Sequence, residues 1–231
     1  SATTWADPSF TQSDIKALRN KGKYPLIVGN CCLTNKFEVS TCFGEAWLRA
    51  KDQGAIGYIG GSNSTYWDED LWWGNGFYSI VHPNSDGTPP KREETGDGAY
   101  DCMFTEDNFS NAAMFFAGNL AVEESNTSKK LCYFEVYHIM GDPSLMIYLG
   151  IPEKMEVTHP QDIDVNAKNV TVQAEKYACV TISMNGEIVA SKYTDAEGKN
   201  ALDVNFSNSG TATIVVTKKN RIPYIAEINV K

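Results

Sequence analysis

Two adjacent cysteines, Cys31 and Cys32, stand in the stretch LIVGNCCLTNKF, residues 26–37, straight after a short apolar run and Gly29-Asn30. A disulfide between them is disfavoured. Bridged cysteines place their α carbons roughly 4.4 to 6.8 Å apart, and a trans peptide holds neighbours at about 3.8 Å. A thiol in such a loop can serve as a nucleophile if a general base lies within hydrogen-bond reach and backbone N–H groups hold an oxyanion. The competing account makes one or both cysteines small buried hydrophobes, the commoner fate of a free thiol.

A second stretch with chemical content is TYWDEDLWW, residues 65–73. Here Asp68, Glu69 and Asp70 lie between Tyr66-Trp67 and Leu71-Trp72-Trp73. Carboxylates flanked by flat rings make a slot for a lysine, whose methylene stem lies on a ring face while its ammonium meets a carboxylate. The plainer account is a solvated helix start, where negative charge meets the positive end of the dipole. None of the three histidines offers itself as a base. His82 precedes a proline in a polar loop, His138 sits in an apolar segment, and His159 opens a run of short strands.

Positioning these residues requires a scaffold. Ser13 is the expected N-cap of a helix over DIKALRNKG that Gly22 closes. Tyr24 to Asn30 is a continuous apolar strand, of the kind buried on both faces in a parallel sheet. Phe43, Trp47 and Ala50 recur at helical spacing before Gly54, and AIGYIGG is a second buried strand. Strand, loop, helix, strand is an α/β unit with a parallel sheet, in which ligands bind at the carboxyl ends of the strands. A helix is expected between Asn108 and Glu123. After Ile151-Pro152 the character changes to short alternating runs separated by turn pairs such as Asn185-Gly186 and Glu197-Gly198, which predicts a small antiparallel sandwich of immunoglobulin type. The domains are therefore expected at 1–151 and 152–231.

Composition narrows the partners. The 231 residues carry a net charge of −9, with a pI near 4.9, which argues against nucleic acid and anionic membranes and suits cationic substrates. No stretch reaches the about 18 apolar residues of a membrane span, and the amino terminus SATTWADPSF has no signal-peptide pattern. Six scattered cysteines suggest no zinc quartet, and at most one or two disulfides.

SATTWADP, LRNKGKY, VGNCCLTNKF, CFGEAWLRAKDQGA, YIGGSNSTYWDEDLWW, AGNLA and YHIMGDPSLM, followed by the β-rich region, run in the order seen in the gingipains, caspase-related bacterial cysteine peptidases. Across essentially its whole length the chain resembles the second half of their catalytic domain plus an immunoglobulin-like domain, with the lysine-specific branch the most similar. The resemblance implies a caspase-like α/β subdomain and a secreted or cell-surface bacterial endopeptidase that cuts after lysine. It implies Cys32 as nucleophile, Cys31 as its structural neighbour, Asp70 as the acid at the base of the primary pocket, and Trp67 beside Tyr66 as the stacking aromatics. It also implies a structural calcium ion, with Glu45 and the Phe37 carbonyl among its ligands, although Glu45 reads equally as a surface helix residue.

The family's catalytic histidine lies in a His-Gly pair that, by this alignment, immediately precedes Ser1. A segment or partner chain is thus expected to supply it, and residues 1–231 alone are expected to be inert. Processing of a precursor, truncation and loss of the chemistry are the open explanations. The rival from another class is a non-catalytic fragment that binds partner proteins in adhesion.

Overall fold

The computed structural model describes residues 1–77, 98–104 and 110–231. The chain divides into two compact units, Ser1–Ile147 and Tyr148–Lys231.

In the first unit a short hairpin, β1 (Thr4–Ala6) with β2 (Ser9–Thr11), leads into α1 (Gln12–Ala17). The cap is Thr11 rather than Ser13. Thr11 is extended, its hydroxyl accepts the Asp14 N–H, and the Asp14 carboxylate accepts the Thr11 N–H in return, so the reciprocal box fixes the start two residues earlier. The helix ends at Ala17, capped by Leu18, and Gly22 lies in the turn beyond it. Next come β3 (Leu26–Gly29), α2 (Phe43–Arg49), β4 (Gly57–Gly61), α3 (Trp67–Asn75), α4 (Ala99–Cys102), α5 (Asn111–Glu124), α6 (Lys130–Val136) and β5 (Tyr137–Gly141).

The central sheet runs β3-β4-β5, and β3 pairs parallel with β4 as the strand–loop–helix–strand pattern requires. β5 corrects the expectation of a parallel sheet: it is antiparallel to β4, pairing Tyr58 with Met140 and Ile59 with Ile139. It enters directly from α6, so no crossover returns the chain to the parallel direction. Every residue of β4 is buried because the sheet is covered on both sides. Tyr58 packs on one face with Ile15, Phe43 and Trp47, while Ile59 packs on the other with Trp73, Met114, Val122 and Tyr133. The period-2 alternation of a strand thus feeds two separate cores.

The second unit is all β: β6 (Glu153–Lys154), β7 (Asp162–Ile163), β8 (Asn169–Gln173), β9 (Cys179–Met184), β10 (Glu187–Tyr193), β11 (Lys199–Asp203), β12 (Gly210–Thr217), β13 (Arg221–Ile222) and β14 (Tyr224–Val230). One sheet has the order β10-β9-β12-β14-β7 and a second pairs β11 with β8. Their inner faces share one core, in which Val180, Ile182, Ile214 and Val216 meet Val170, Val172 and Leu202. Asn185 and Gly186 both take positive φ, 54° and 85°, and close the β9–β10 hairpin. Two short pairs, β7 with β14 and β6 with β13, are parallel where an antiparallel arrangement was expected. Their strands are far apart in sequence, so no hairpin turn dictates their direction.

Candidate active site

Cys31 and Cys32 follow β3 at its carboxyl end, beside the loop that leaves β4. Gly29 is the last strand residue, and a side chain there would collide with the Tyr58 hydroxyl, 1.9 Å from an added Cβ. The Cys31 N–H donates to the Gly29 carbonyl at 2.7 Å, which turns the chain sharply. The Leu33 N–H then donates to Asn63 O and the Asn35 N–H to Gly61 O, pinning the cysteine loop to the end of β4. Leu33 itself sits at φ 68°. A bulky side chain in the left-handed region is strained, and such strain concentrates at functional loops.

All six cysteines are free thiols. Burial pushes the Cys31 thiol up, with the Thr34 hydroxyl opposing it. The Cys32 sulfur faces Thr65: it accepts the Thr65 N–H at 3.2 Å, and it lies 3.4 Å from Thr65 Oγ1 and 3.5 Å from the Thr65 carbonyl. A cleft of about 460 Å³ opens over the loop, lined by Trp5, Asp7, Asn30, Cys31, Cys32 and Trp67 among others. Tyr66 and Asp70 are not among its lining residues.

Asp70 is half-buried on the first turn of α3. Its Oδ2 accepts the Thr65 hydroxyl at 2.7 Å, and its Oδ1 faces the hydroxyls of Tyr133 and Tyr137, each at 2.8 Å. Each phenol has one proton and two acceptors. Tyr133 also faces the Tyr66 carbonyl at 3.0 Å, and Tyr137 also faces Asn30 Oδ1. Oδ1 competes with these neutral oxygens for both protons and, as the charged acceptor, wins them, so three hydroxyls hold the carboxylate. Burial raises the Asp70 pKa although the hydroxyls pull it down.

Trp67 is 94% exposed, and Tyr66, 37% exposed, carries the Lys129 ammonium 4.5 Å above its ring. Other members of the acidic-aromatic stretch depart from the slot expected there. Trp73 is no wall: it is wholly buried, 5.0 Å from the Tyr137 ring, and its indole N–H donates to Asn119. Glu69 is only 8% exposed and accepts the Thr127 hydroxyl at 2.5 Å, so it is not a solvated carboxylate. Residues of α3 alternate between core and surface every three to four positions, which puts Glu69 and Trp73 on the inner side together.

His138 hydrogen-bonds Ser62 at 2.9 Å through Nε2 and meets the Phe37 ring edge-on, and its pKa is lowered by burial. His159 contacts Tyr224 and the Pro160 carbonyl in the β unit. Neither bonds Cys32, and His82 lies outside the described residues. Glu45, the expected calcium ligand, accepts Arg49 at 2.8 Å and the Cys42 N–H at 3.4 Å. With the Phe37 carbonyl it would offer two sources of oxygen where calcium takes six to eight ligands, and no group of three or more His, Cys, Asp or Glu residues forms a metal site among the described residues. These residues do not make a calcium site by themselves.

The model of peptidase family C25 matches residues 1–148. The chain belongs to peptidase family C25. Members of known description resemble it along its length. Lys-gingipain W83 of Porphyromonas gingivalis is 35% identical over 240 residues, covering 100% of this chain and 14% of that protein. Gingipain R1 of Porphyromonas gingivalis is 25% identical over 238 residues, covering 99% of this chain and 22% of that one. Of solved structures, one described as a protease superposes with a TM-score of 0.91 at 35% identity, covering 100% of this chain and 52% of its own. The Arg-specific cysteine proteinase gingipain R superposes with a TM-score of 0.82 at 21% identity, covering 100% of this chain and 51% of its own, and shows the shared fold. This C25 chain therefore spans a seventh or less of its Lys-gingipain relatives and about half of the solved ones.

Sequence reasoning missed Thr65, Tyr133 and Tyr137 as partners of the acid, and Asn30, whose amide donates to the Asp70 backbone carbonyl. The signal was present in part: Tyr133 and Tyr137 are four apart across the end of a helix, the spacing that stacks two side chains on one face, and their rings do stack, with centroids 5.2 Å apart.

Proposed function

We propose that this chain is the nucleophile-bearing part of a secreted or cell-surface bacterial cysteine endopeptidase that cleaves proteins and peptides after lysine. Cys32 attacks the scissile carbonyl, and a His-Gly pair on a segment outside residues 1–231 supplies the general base. The observation that carries the lysine reading is the half-buried carboxylate of Asp70, held by three neutral hydroxyls and facing no cation among the described residues. An ammonium brings the positive charge that the hydroxyls do not supply, and Trp67, three residues earlier on α3, stands exposed for the methylene stem. Lys-gingipain, 35% identical throughout, supports the same specificity by its name. The domains are read as the carboxyl-terminal part of a caspase-like peptidase domain, 1–151, and an immunoglobulin-like sandwich, 152–231. Calcium, if bound in the complete enzyme, would take Glu45 and the Phe37 carbonyl with further oxygens from outside the described residues. No nucleic acid partner fits the acidic charge, and among the described residues no helix is long and apolar enough to cross a membrane.

The rival account, a non-catalytic adhesion module, does not explain a half-buried thiol loop lining a cleft and linked through Thr65 to a half-buried acid. Digesting a denatured protein with the complete enzyme and sequencing the products separates the two. Lysine is expected before nearly every new terminus. An absence of cleavage, or a spread over unrelated residues, would refute the proposal.

A further inference from the structure

Cys32 and Asp70 are joined through one side chain. Thr65 Oγ1 lies 2.7 Å from Asp70 Oδ2 and 3.4 Å from Cys32 Sγ. A hydroxyl has a single proton. Toward a carboxylate the bond is charge-assisted and roughly twice as strong as a neutral one, so the proton points to Asp70 while that group is ionised. The Thr65 oxygen is then left to accept, and the sulfur can meet it only as S–H. The empty pocket therefore favours Cys32 as a thiol turned toward Thr65. A hydrogen bond to the neutral form of a group disfavours its ionisation.

We infer that Thr65 is a positioning residue that couples occupancy of the Asp70 pocket to the protonation of Cys32. A substrate ammonium that pairs with Asp70 at Oδ2 competes with the Thr65 proton for that oxygen. The hydroxyl turns and donates to the sulfur, adding a second donor to the Thr65 N–H already 3.2 Å away. Two donors stabilise a thiolate, and the thiol proton leaves to the general base in turnover or to solvent in a resting enzyme. No bond other than hydrogen bonds is made or broken. Lysine thus primes the nucleophile that cuts beside it, and the thiol stays quiet until it arrives. Other titratable groups surround the acid: Tyr133 at the end of α6 and Tyr137 on β5 at its Oδ1, Tyr100 from α4, Glu69 on its own helix, and Cys31 from the loop after β3. None of them bridges to the Cys32 sulfur.

The inference rests on the proposed lysine pocket, and the experiment tells the two apart. Butylammonium, which reproduces the lysine side chain and leaves the thiol open, is titrated calorimetrically into the complete enzyme. Iodoacetamide alkylation of Cys32 is followed by peptide mass spectrometry across pH, with Cys31 as internal control. Saturating butylammonium is expected to raise the rate at Cys32 near pH 7 about tenfold, one unit in the midpoint of its pH profile, and to leave Cys31 unchanged. Thr65→Val should bind the probe without acceleration, and Thr65→Ser should keep both. Binding without acceleration in the unaltered enzyme, which no misfolded variant can confuse, overturns the coupling and leaves the pocket standing. Failure to bind, or equal binding by Asp70→Asn, overturns the pocket and the coupling with it.

Discussion

Cys32→Ala in the complete enzyme is expected to abolish peptide cleavage, while Cys31→Ala keeps most of it. The two sulfurs occupy different surroundings despite their adjacency. Both residues line the cleft, but the Cys32 sulfur faces Thr65 in the loop after β4, whereas burial raises the Cys31 thiol away from the reactive thiolate form. Loss of the nucleophile removes the covalent route altogether, and the residual rate should fall by several orders of magnitude. Steady-state kinetics with a chromogenic lysine substrate measures both variants, and thermal denaturation shows whether each is folded. Full activity in a folded Cys32→Ala would remove the nucleophile from this position.

Asp70→Asn should lower kcat/KM for lysine substrates roughly 30- to several-thousand-fold, the equivalent of about 2 to 5 kcal/mol for a partly buried charge pair that loses one member. Arginine should be the poorer substrate in the unaltered enzyme, because a pocket fitted to one ammonium does not give a planar guanidinium its bidentate partner. The pH dependence has a definite sign. Ammonium binding needs the ionised carboxylate, and burial raises the Asp70 pKa, so KM for lysine should climb on acidification at a higher pH than an ordinary carboxylate would give. Glu69→Ala should act differently. Its carboxylate is buried on Thr127, so the change should cost about 1 to 3 kcal/mol of stability with a much smaller effect on kcat/KM. An unaltered rate in Asp70→Asn, or arginine cut as readily as lysine, would place the pocket elsewhere.

The backbone frame was legible because local signals agreed with each other. Gly57–Gly61 is buried throughout as its apolar run predicts, Leu26–Gly29 at the end of the sheet is half-buried except for Gly29, and Asn185-Gly186 permits the turn that closes its hairpin. Strand direction was less legible, since nothing in residues 137–141 alone says whether the chain arriving from α6 runs with β4 or against it. The cysteine loop was legible by its place after a buried strand. Its partners were not, because Thr65 reaches Cys32 across 33 residues of sequence and Tyr133 reaches Asp70 across 63. Contacts at that separation are fixed by the pairing of β3 with β4, which brings their following loops together, and by the meeting of Asp70 with the Tyr133 and Tyr137 hydroxyls, and not by any spacing. Glu69 shows the same limit, its helix face being settled by tertiary contacts that three consecutive acids do not reveal.

Covalent labelling at the site tests the central claim most directly. The complete enzyme is treated with a peptidyl acyloxymethyl ketone ending in lysine, then digested and mapped by mass spectrometry. One adduct on Cys32 is predicted, forming much faster than with the arginine-ended reagent and lost in Asp70→Asn. An adduct on Cys31 or on another residue, or equal rates for the two reagents, would contradict the assignment of Cys32 and Asp70 as nucleophile and lysine receptor.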